Sequence, residues 1–146
     1  MVLPTAKVPL KRDTTGSPRG RQGMVFVVED NADTRASLTD ALVADGFDVF
    51  ATGNGREALD QLTTASKPDA IILDLYMPGL SGFEVYRMLR DDPQLAAIPL
   101  IVVTAASPAQ RAGLNVTATI RKPLDLYELL YTVRRAVAHE GPATSA

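Results

Sequence analysis

The 146-residue sequence contains no cysteine and only one histidine, His139. Without cysteine the chain can form no disulfide framework, no thiolate zinc site and no cysteine nucleophile, and its composition fits a reducing compartment. A single imidazole excludes metal sites built from several histidines. Any metal ligands in this chain are therefore expected to be oxygen atoms.

Long apolar runs are also missing. No run approaches the ~20 residues that a membrane span requires, and the N-terminus has no apolar signal core before its first proline and lysine residues. The length is enough for one domain that buries a core without a disulfide or a metal. We therefore expect a soluble, cytoplasmic protein of one domain.

The net charge of −2 is distributed unevenly along the chain. Residues 1–23 hold five basic residues, one acidic residue and no aromatic residue, so this segment has little apolar surface to offset the entropy of ordering. We predict a disordered basic tail over 1–23, a folded domain over 24–139 and a C-terminal tail over 140–146. A nucleic-acid or membrane-binding arm is the alternative for the first tail, but dispersed basic residues without stacking partners are weak evidence for it.

From Met24 onward, short apolar runs alternate with segments of helical periodicity. Apolar residues on successive positions indicate strands that are covered on both faces. The predicted strands are Val25–Val28, Phe47–Ala51, Ala70–Leu73, Leu100–Val103 and Ala118–Ile120. The apolar stripes of predicted helices are Leu38, Ala41 and Leu42; Ala58, Leu59 and Leu62; Val85, Met88 and Leu89; and Leu126, Leu129, Leu130, Val133 and Val137.

This alternation predicts an α/β fold, in which a five-stranded parallel sheet carries helices on both faces. Capping-box sequences at Ser81–Glu84 and Asp125–Glu128 predict the starts of two helices. Tyr127 and Tyr131 lie on the last helix, where we expect them to pack.

Polar side chains follow four of the predicted strands at their carboxyl ends, where open parallel sheets place their ligand sites. Glu29 and Asp30 follow the first strand, Asp74 the third, Thr104 the fourth and Lys122 the fifth. Three carboxylates at one edge repel one another unless a cation neutralises them, and with oxygen ligands only Mg²⁺ is favoured. A solvated loop or helix cap is the alternative for any one of these acids.

Four segments of the chain resemble the receiver domain of two-component response regulators. They are Val27-Val28-Glu29-Asp30-Asn31, the run from Ile71 to Gly79 with Gly82 three positions on, Thr104-Ala105, and Lys122-Pro123. The resemblance covers about residues 24–139. It implies a doubly wound, flavodoxin-like sheet with the strand order 2-1-3-4-5 and five helices.

The resemblance implies that Asp74 accepts a phosphoryl group from a phosphohistidine donor, and we expect the Met77-Pro78-Gly79 turn to keep this side chain exposed. Thr104 would hydrogen-bond the acquired phosphoryl group. Lys122 would pair with one of its oxygens, because a cis Lys122-Pro123 bond turns the lysine side chain into the site.

A cofactor and partners are implied in the same way. Glu29, Asp30 and Asp74 would hold Mg²⁺ together with the backbone carbonyl of Tyr76. The chain would be a signalling domain that assists its own phosphorylation, rather than an enzyme. Its partners would be a sensor histidine kinase or histidine phosphotransfer protein and a downstream protein target. We expect no direct DNA binding and no membrane contact, and a weak homodimer stays open. Because the last predicted helix ends shortly before the chain does, we expect a stand-alone regulator.

Two features depart from the pattern of the family. Thr119 stands three residues before the lysine, where the family commonly has a tyrosine or phenylalanine that swings inward on activation. The segment between Thr104 and Lys122 is also about one helical turn shorter than usual. We therefore expect the fourth helix, within Pro108–Leu114, to be short or irregular.

Two further positions bear on how long a phosphoryl group would last. In faster members of the family, polar side chains two residues after the acceptor and two after the threonine help to place the hydrolytic water. These positions hold Tyr76 and Ala106 here, while Ala105 is small enough to admit the donor. We expect slow loss of the phosphoryl group, because Ala106 cannot orient water and Tyr76 shields the site.

Three other functions are weighed against this one. The Gly53–Ala58 segment matches the G-x-G-x-x-A dinucleotide pattern, but it follows the second predicted strand and leaves the strand-end acids unexplained. An aspartate-based phosphatase would use Asp74 as its nucleophile, but Tyr76 stands where such enzymes usually have a second aspartate. A degenerate receiver that only binds a partner usually lacks the acceptor or the lysine. Both are present, and Thr119 keeps this alternative open.

Overall fold

Ten helices and strands make up the part of the chain that the computed structural model describes, which is residues 22–64, 67–77, 79, 81–105, 107 and 112–138. In chain order they are β1 (Gly23–Val28), α1 (Ala32–Ala44), β2 (Phe47–Thr52), α2 (Gly55–Thr64), β3 (Ala70–Asp74), α3 (Gly82–Asp91), α4 (Pro93–Ala96), β4 (Leu100–Thr104), β5 (Ala118–Arg121) and α5 (Leu126–Val137). The five strands are those predicted from the apolar runs. None of the helices in these residues combines the length and apolar character that crossing a membrane demands.

The five strands form one parallel sheet in the order β2-β1-β3-β4-β5, which confirms the predicted fold and strand order. Successive side chains of a strand point to opposite faces. In β1, Val25 and Val27 pack with α1 and α5 on one face, whereas Phe26 and Val28 pack with α2, α3 and α4 on the other. The sheet is therefore covered on both sides, and its carboxyl edge lies between two helical layers.

Most of the predicted helical stripes reach the core, and both predicted helix starts are capped. Ser81 and Glu84 form the reciprocal capping box of α3, and Asp125 accepts hydrogen bonds from the first turn of α5. Four side chains on α3 and α5 that were predicted to pack are exposed instead. A helix that lies on a sheet buries only the arc that faces the strands. The exposed side chains are Met88, Leu126, Tyr127 and Tyr131.

The fourth helix in the chain lies before β4 rather than after it. Asp92 caps α4 by accepting a hydrogen bond from Gln94 N at 2.9 Å, and Pro93 occupies the first helical position. Of the predicted helix within Pro108–Leu114, residues 108–111 lie outside the described residues, and Ala112 and Gly113 form a turn. Of the connection between β4 and β5, residues 105, 107 and 112–117 are described, and none of these is helical.

The folded domain begins slightly earlier than predicted. Gly23 already pairs with β2, and Gln22 donates from its backbone to Gly46 O at 3.1 Å and from its side chain to Asp45. Arg134, near the end of α5, makes a two-point ion pair with the same aspartate at 2.6 and 2.8 Å. Residues 22 and 23 therefore belong to the domain rather than to a tail. Residues 1–21 and 139–146 lie outside the described part of the chain, so both tails stay predictions.

Gly82 lies where the first turn of α3 meets the end of β3. A Cβ atom there would be 2.0 Å from the carbonyl oxygen of Asp74 and 2.4 Å from the Cα of Leu75, both of them backbone atoms. We expect Gly82→Ala to lower the free energy of unfolding by about 3 kcal/mol, because the helix must move off the strand end. Urea unfolding followed by circular dichroism measures this loss.

Gly79→Ala is the control for this substitution. Gly79 has a φ of +74°, and a Cβ added there would meet no heavy atom of the described residues within 4 Å. Alanine there should cost only about 1 kcal/mol, from the left-handed backbone alone. Equal losses in the two variants would contradict the close approach at Gly82.

Candidate functional site

The register of the parallel strands brings the predicted site residues to one edge of the sheet. Val28, the last residue of β1, pairs with Leu73, and β3 runs one residue further to Asp74, which places Glu29 beside Asp74. The strand β4 extends one residue further, to Thr104, and β5 ends level with it, so that Lys122 follows next. The backbone N–H of Lys122 donates to the carbonyl of Thr104 at 3.0 Å. Backbone pairing alone therefore positions four of the five predicted residues.

The three acids converge as predicted. Glu29, Asp30 and Asp74 each have a carboxylate oxygen within 4.8 Å of the others. Glu29 is almost fully buried, at 1% exposed, and its Oε2 accepts a hydrogen bond from Asn31 N at 3.1 Å. Asn31 is also the N-cap of α1, since its side chain accepts from Thr34 N at 2.8 Å. The turn into α1 thus orients one of the buried carboxylates.

The ammonium group of Lys122 lies between two of these acids. Its Nζ is 3.2 Å from Glu29 Oε1 and 3.3 Å from Asp74 Oδ2. The other oxygen of Asp74, Oδ1, accepts a hydrogen bond from Tyr76 N at 3.1 Å. The Lys122-Pro123 peptide is cis, as predicted.

Asp74 is not exposed, contrary to prediction. Only 3% of the residue is accessible, and the Nζ of Lys122 lies 3.3 Å from its Oδ2. The Met77-Pro78-Gly79 turn does not prevent this burial. Pro78 itself lies outside the described residues.

Burial and mutual charge shift two pKa values at the site. Burial raises the pKa of the Glu29 carboxyl above its usual value, and the neighbouring charge of Asp74 raises it further, against the opposing effect of Asn31 N–H and Lys122. Burial acts to lower the pKa of Lys122, but the adjacent carboxylates of Asp74 and Glu29 outweigh it, so this pKa is raised. The lysine therefore keeps its positive charge beside the two carboxyl groups.

The donor set fits a hard divalent cation. Glu29 Oε1 is buried and accepts no hydrogen bond, although it lies 3.2 Å from the lysine nitrogen. One ammonium group leaves a cluster of three carboxylates net negative, and carboxylate oxygen is the ligand that Mg²⁺ prefers. The backbone carbonyl of Tyr76, two residues after Asp74, is the fourth predicted ligand and stays a prediction.

Four of the remaining predicted positions lie in the described part of the chain. Thr104 is fully buried at the end of β4, and Ala105 after it is exposed. Tyr76 is 45% exposed, and its ring meets Phe83 edge to face, with centroids 6.0 Å apart. Thr119 is half-buried in β5 and offers no ring that could swing inward. Ala106 lies outside the described residues.

Sequence reasoning missed Arg35. Its Nη1 donates to the carbonyl oxygen of Glu29 at 2.8 Å and to that of Asp30 at 3.3 Å. The available signal was a basic residue in the second turn of the helix that follows two acids. Arg35 is not at a strand end, and its contact with the preceding loop depends on how α1 begins, which the position of the residue in the sequence does not show.

Comparison with known proteins matches most of the chain to the family that its sequence motifs resemble. The family model described as response regulator receiver domain matches residues 25–134. Polar-differentiation response regulator DivK of Brucella anthropi is 36% identical over 115 residues, which are 75% of this chain and 92% of DivK. Response regulator MprA of Mycolicibacterium vanbaalenii is 40% identical over 129 residues, which are 84% of this chain and 53% of MprA. The solved structure of chemotaxis response regulator CheY4 of Vibrio cholerae is 30% identical, with a TM-score of 0.71, over 77% of this chain and 97% of CheY4.

Mg²⁺ should raise the Tm of this protein, because the ion binds the three acids only when the fold brings them together. At ten times the Kd, the expected stabilisation is about 1.4 kcal/mol, or a few degrees in Tm. Asp30→Asn should abolish this increase. In EDTA, the same variant should melt above the wild type, since one of three mutually repelling charges is gone. Differential scanning calorimetry with and without Mg²⁺ measures both effects.

Asp60→Asn is the control, since Asp60 is exposed on α2. It removes one negative charge outside the cluster and should respond to Mg²⁺ as the wild type does. If Mg²⁺ leaves the Tm of the wild type unchanged, the acid cluster does not bind the ion.

Proposed function

The chain belongs to the receiver domain family of response regulators, and on that premise we propose that Asp74 accepts a phosphoryl group from the phosphohistidine of a sensor kinase or phosphotransfer protein. One observation carries the proposal. Asp74 lies at the carboxyl edge of the sheet with Lys122 at 3.3 Å and two further carboxylates beside it. A nucleophile, a cation and an acidic metal-binding cluster are the parts that phosphoryl transfer needs.

The chemistry uses these side chains directly. A carboxylate oxygen of Asp74 forms a bond to phosphorus while the phosphorus–nitrogen bond of the donor breaks, and the electron pair leaves with the imidazole. The Tyr76 N–H, at 3.1 Å from Oδ1, fixes the plane of the carboxylate before the donor arrives. The ammonium of Lys122 moves from Asp74 to an oxygen of the transferred group, and the buried Thr104 hydroxyl donates to another.

The acidic cluster serves the proposed cofactor. Glu29, Asp30 and Asp74 would hold Mg²⁺ together with the carbonyl of Tyr76. Bound there, the ion supplies positive charge that offsets the charge on the phosphoryl oxygens during transfer. Because Glu29 is buried and oriented by Asn31 N–H, its carboxylate needs little reorganisation to bind the ion.

The proposed role is that of a switch rather than of an enzyme with turnover. Receiver domains of response regulators interact with histidine kinases and with downstream targets. The match over 92% of DivK supports a regulator built from a receiver alone that signals through a protein partner. Since Thr119 stands where the family commonly has an aromatic residue, the partner would detect phosphorylation through a change other than an inward swing of a ring at this position.

Intact-mass measurement after incubation with acetyl phosphate and Mg²⁺ tests the acceptor. The wild type should gain the mass of one phosphoryl group, and Asp74→Asn should gain none, because the amide is not a nucleophile. EDTA should prevent the gain in the wild type. The control Asp60→Asn should be labelled as the wild type is.

Two results would contradict this assignment. Labelling of Asp74→Asn would place the acceptor elsewhere. A folded wild type that binds Mg²⁺ and stays unlabelled would favour the degenerate receiver, which binds its partner without phosphorylation.

The phosphorylated form should decay slowly, because the residue two positions after the acceptor is the half-exposed Tyr76, whose ring packs on Phe83 and is not expected to orient the attacking water. Tyr76→Asn should speed the decay roughly fivefold, since one well-placed hydrogen bond to the attacking water is worth about 1 kcal/mol. Tyr76→Phe, which keeps the ring, should decay as the wild type does. Decay is followed by mass after the donor is removed. Slower decay of Tyr76→Asn would show that this side chain does not control the water.

A further inference from the structure

The backbone of the connection between β1 and α1 is fixed on two sides. This connection carries two of the three acids, Glu29 and Asp30. The Glu29 N–H donates to the carbonyl of Thr52 in β2 at 3.0 Å. The Glu29 and Asp30 carbonyls both face Arg35 Nη1, at 2.8 and 3.3 Å. One guanidinium on α1 therefore bridges the backbone of both acids.

Arg35 directs its guanidinium to carbonyl oxygens rather than to an acid. In the residues that the structure describes, its guanidinium is in ion-pair contact with no carboxylate. Its side chain thus leaves the carboxylates of Glu29 and Asp30 to other cations, of which Lys122 already lies 3.2 Å from Glu29 Oε1. At the same time, its positive charge lies close to two acids that repel each other.

Gly53 provides the space that this guanidinium occupies. A Cβ at Gly53 would lie 2.5 Å from Arg35 Nη1 and 3.3 Å from the Glu29 carbonyl oxygen. Because Nη1 ends a long flexible side chain, an added methyl group would displace the guanidinium rather than the sheet. The first glycine of the Gly53–Ala58 pattern therefore has a structural explanation that involves no nucleotide.

We propose that Arg35 is a positioning residue for the metal-binding acids and that Gly53 maintains its position. The inference rests on the proposed function and deepens it, since it concerns how this chain prepares its Mg²⁺ site. With both carbonyls held, the side chains of Glu29 and Asp30 leave the backbone in fixed directions before the ion binds. Loss of the guanidinium should therefore weaken ion binding without removing any ligand.

Isothermal titration calorimetry with Mg²⁺ on the full chain tests the proposed role of Arg35. Arg35→Ala should raise the Kd for Mg²⁺ about tenfold, as is typical when a group that orients a metal ligand is lost. Arg35→Lys, which keeps the charge but not the forked geometry, should fall between this variant and the wild type. Labelling by acetyl phosphate at saturating Mg²⁺ should return to the wild-type rate, because the defect lies in ion binding.

A double-mutant cycle isolates the role of Gly53. Gly53→Ala should weaken Mg²⁺ binding in the wild-type background but have no further effect in the Arg35→Ala background, because there is no guanidinium left to displace. Arg56→Ala is the charge control. Arg56 is exposed at the start of α2, and its loss should leave the Kd unchanged.

An unchanged Kd in Arg35→Ala, or equal effects of Gly53→Ala in both backgrounds, would overturn the inference. If Arg35→Ala fails to fold, as judged by its Tm, Arg35→Lys and Gly53→Ala decide the question. A wild type that binds no Mg²⁺ would overturn both this inference and the proposed cofactor. A wild type that binds Mg²⁺ with the expected variant effects but takes no phosphoryl group would support this inference and contradict the proposed acceptor.

Discussion

The ammonium group of Lys122, held between Glu29 and Asp74 at 3.2 and 3.3 Å, is the contact on which the site depends. Parallel pairing forces the acids to the same edge, and like charges in that position repel. The lysine offsets part of this repulsion, which lets two carboxylates stay buried. Removing one partner of such a buried set typically costs about 3–5 kcal/mol, because the remaining charges lose their compensation. The lysine is thus part of the structure of the site, whatever ligand the acids bind.

Asp74 is buried at the same edge, where α3 lies against the backbone that follows β3. The first turn of α3 contacts the end of β3 so closely that only glycine fits at position 82. Low exposure excludes water from the carboxylate and strengthens each charge interaction around it. The site therefore stores unfavourable charge while the protein stays folded, and a bound cation or a transferred group changes that balance strongly. Such unfavourable local charge is expected at functional positions, where residues that serve activity can lower the stability of the fold.

Much of this architecture could be predicted from sequence because it depends on periodicity and on strand ends. The apolar runs located all five strands, and the polar residues after them located the acid cluster and its lysine. The side-chain layer above the backbone was harder to predict. Asp74 is buried although a turn follows it, Met88 is exposed on α3, and Arg35 reaches the carbonyls of Glu29 and Asp30 from α1. These contacts join residues through three-dimensional geometry that no local pattern encodes. The helix at Pro93–Ala96, in contrast, could have been predicted, since an aspartate followed by a proline is a typical sequence for the start of a helix.

The hydrogen-bonded corner formed by Gln22, Asp45 and Arg134 has a practical consequence for handling the protein. It joins the entry to the first strand with the last turns of α5, at the amino edge of the sheet. The carboxyl edge with Asp74 lies at the opposite end of the same strands. A fluorescent reporter or an immobilisation handle joined through either end of the folded domain would therefore leave from the side remote from Asp74. Surface-based binding assays can then present the acidic cluster outward to a kinase, and the two fusion sites are interchangeable in this respect.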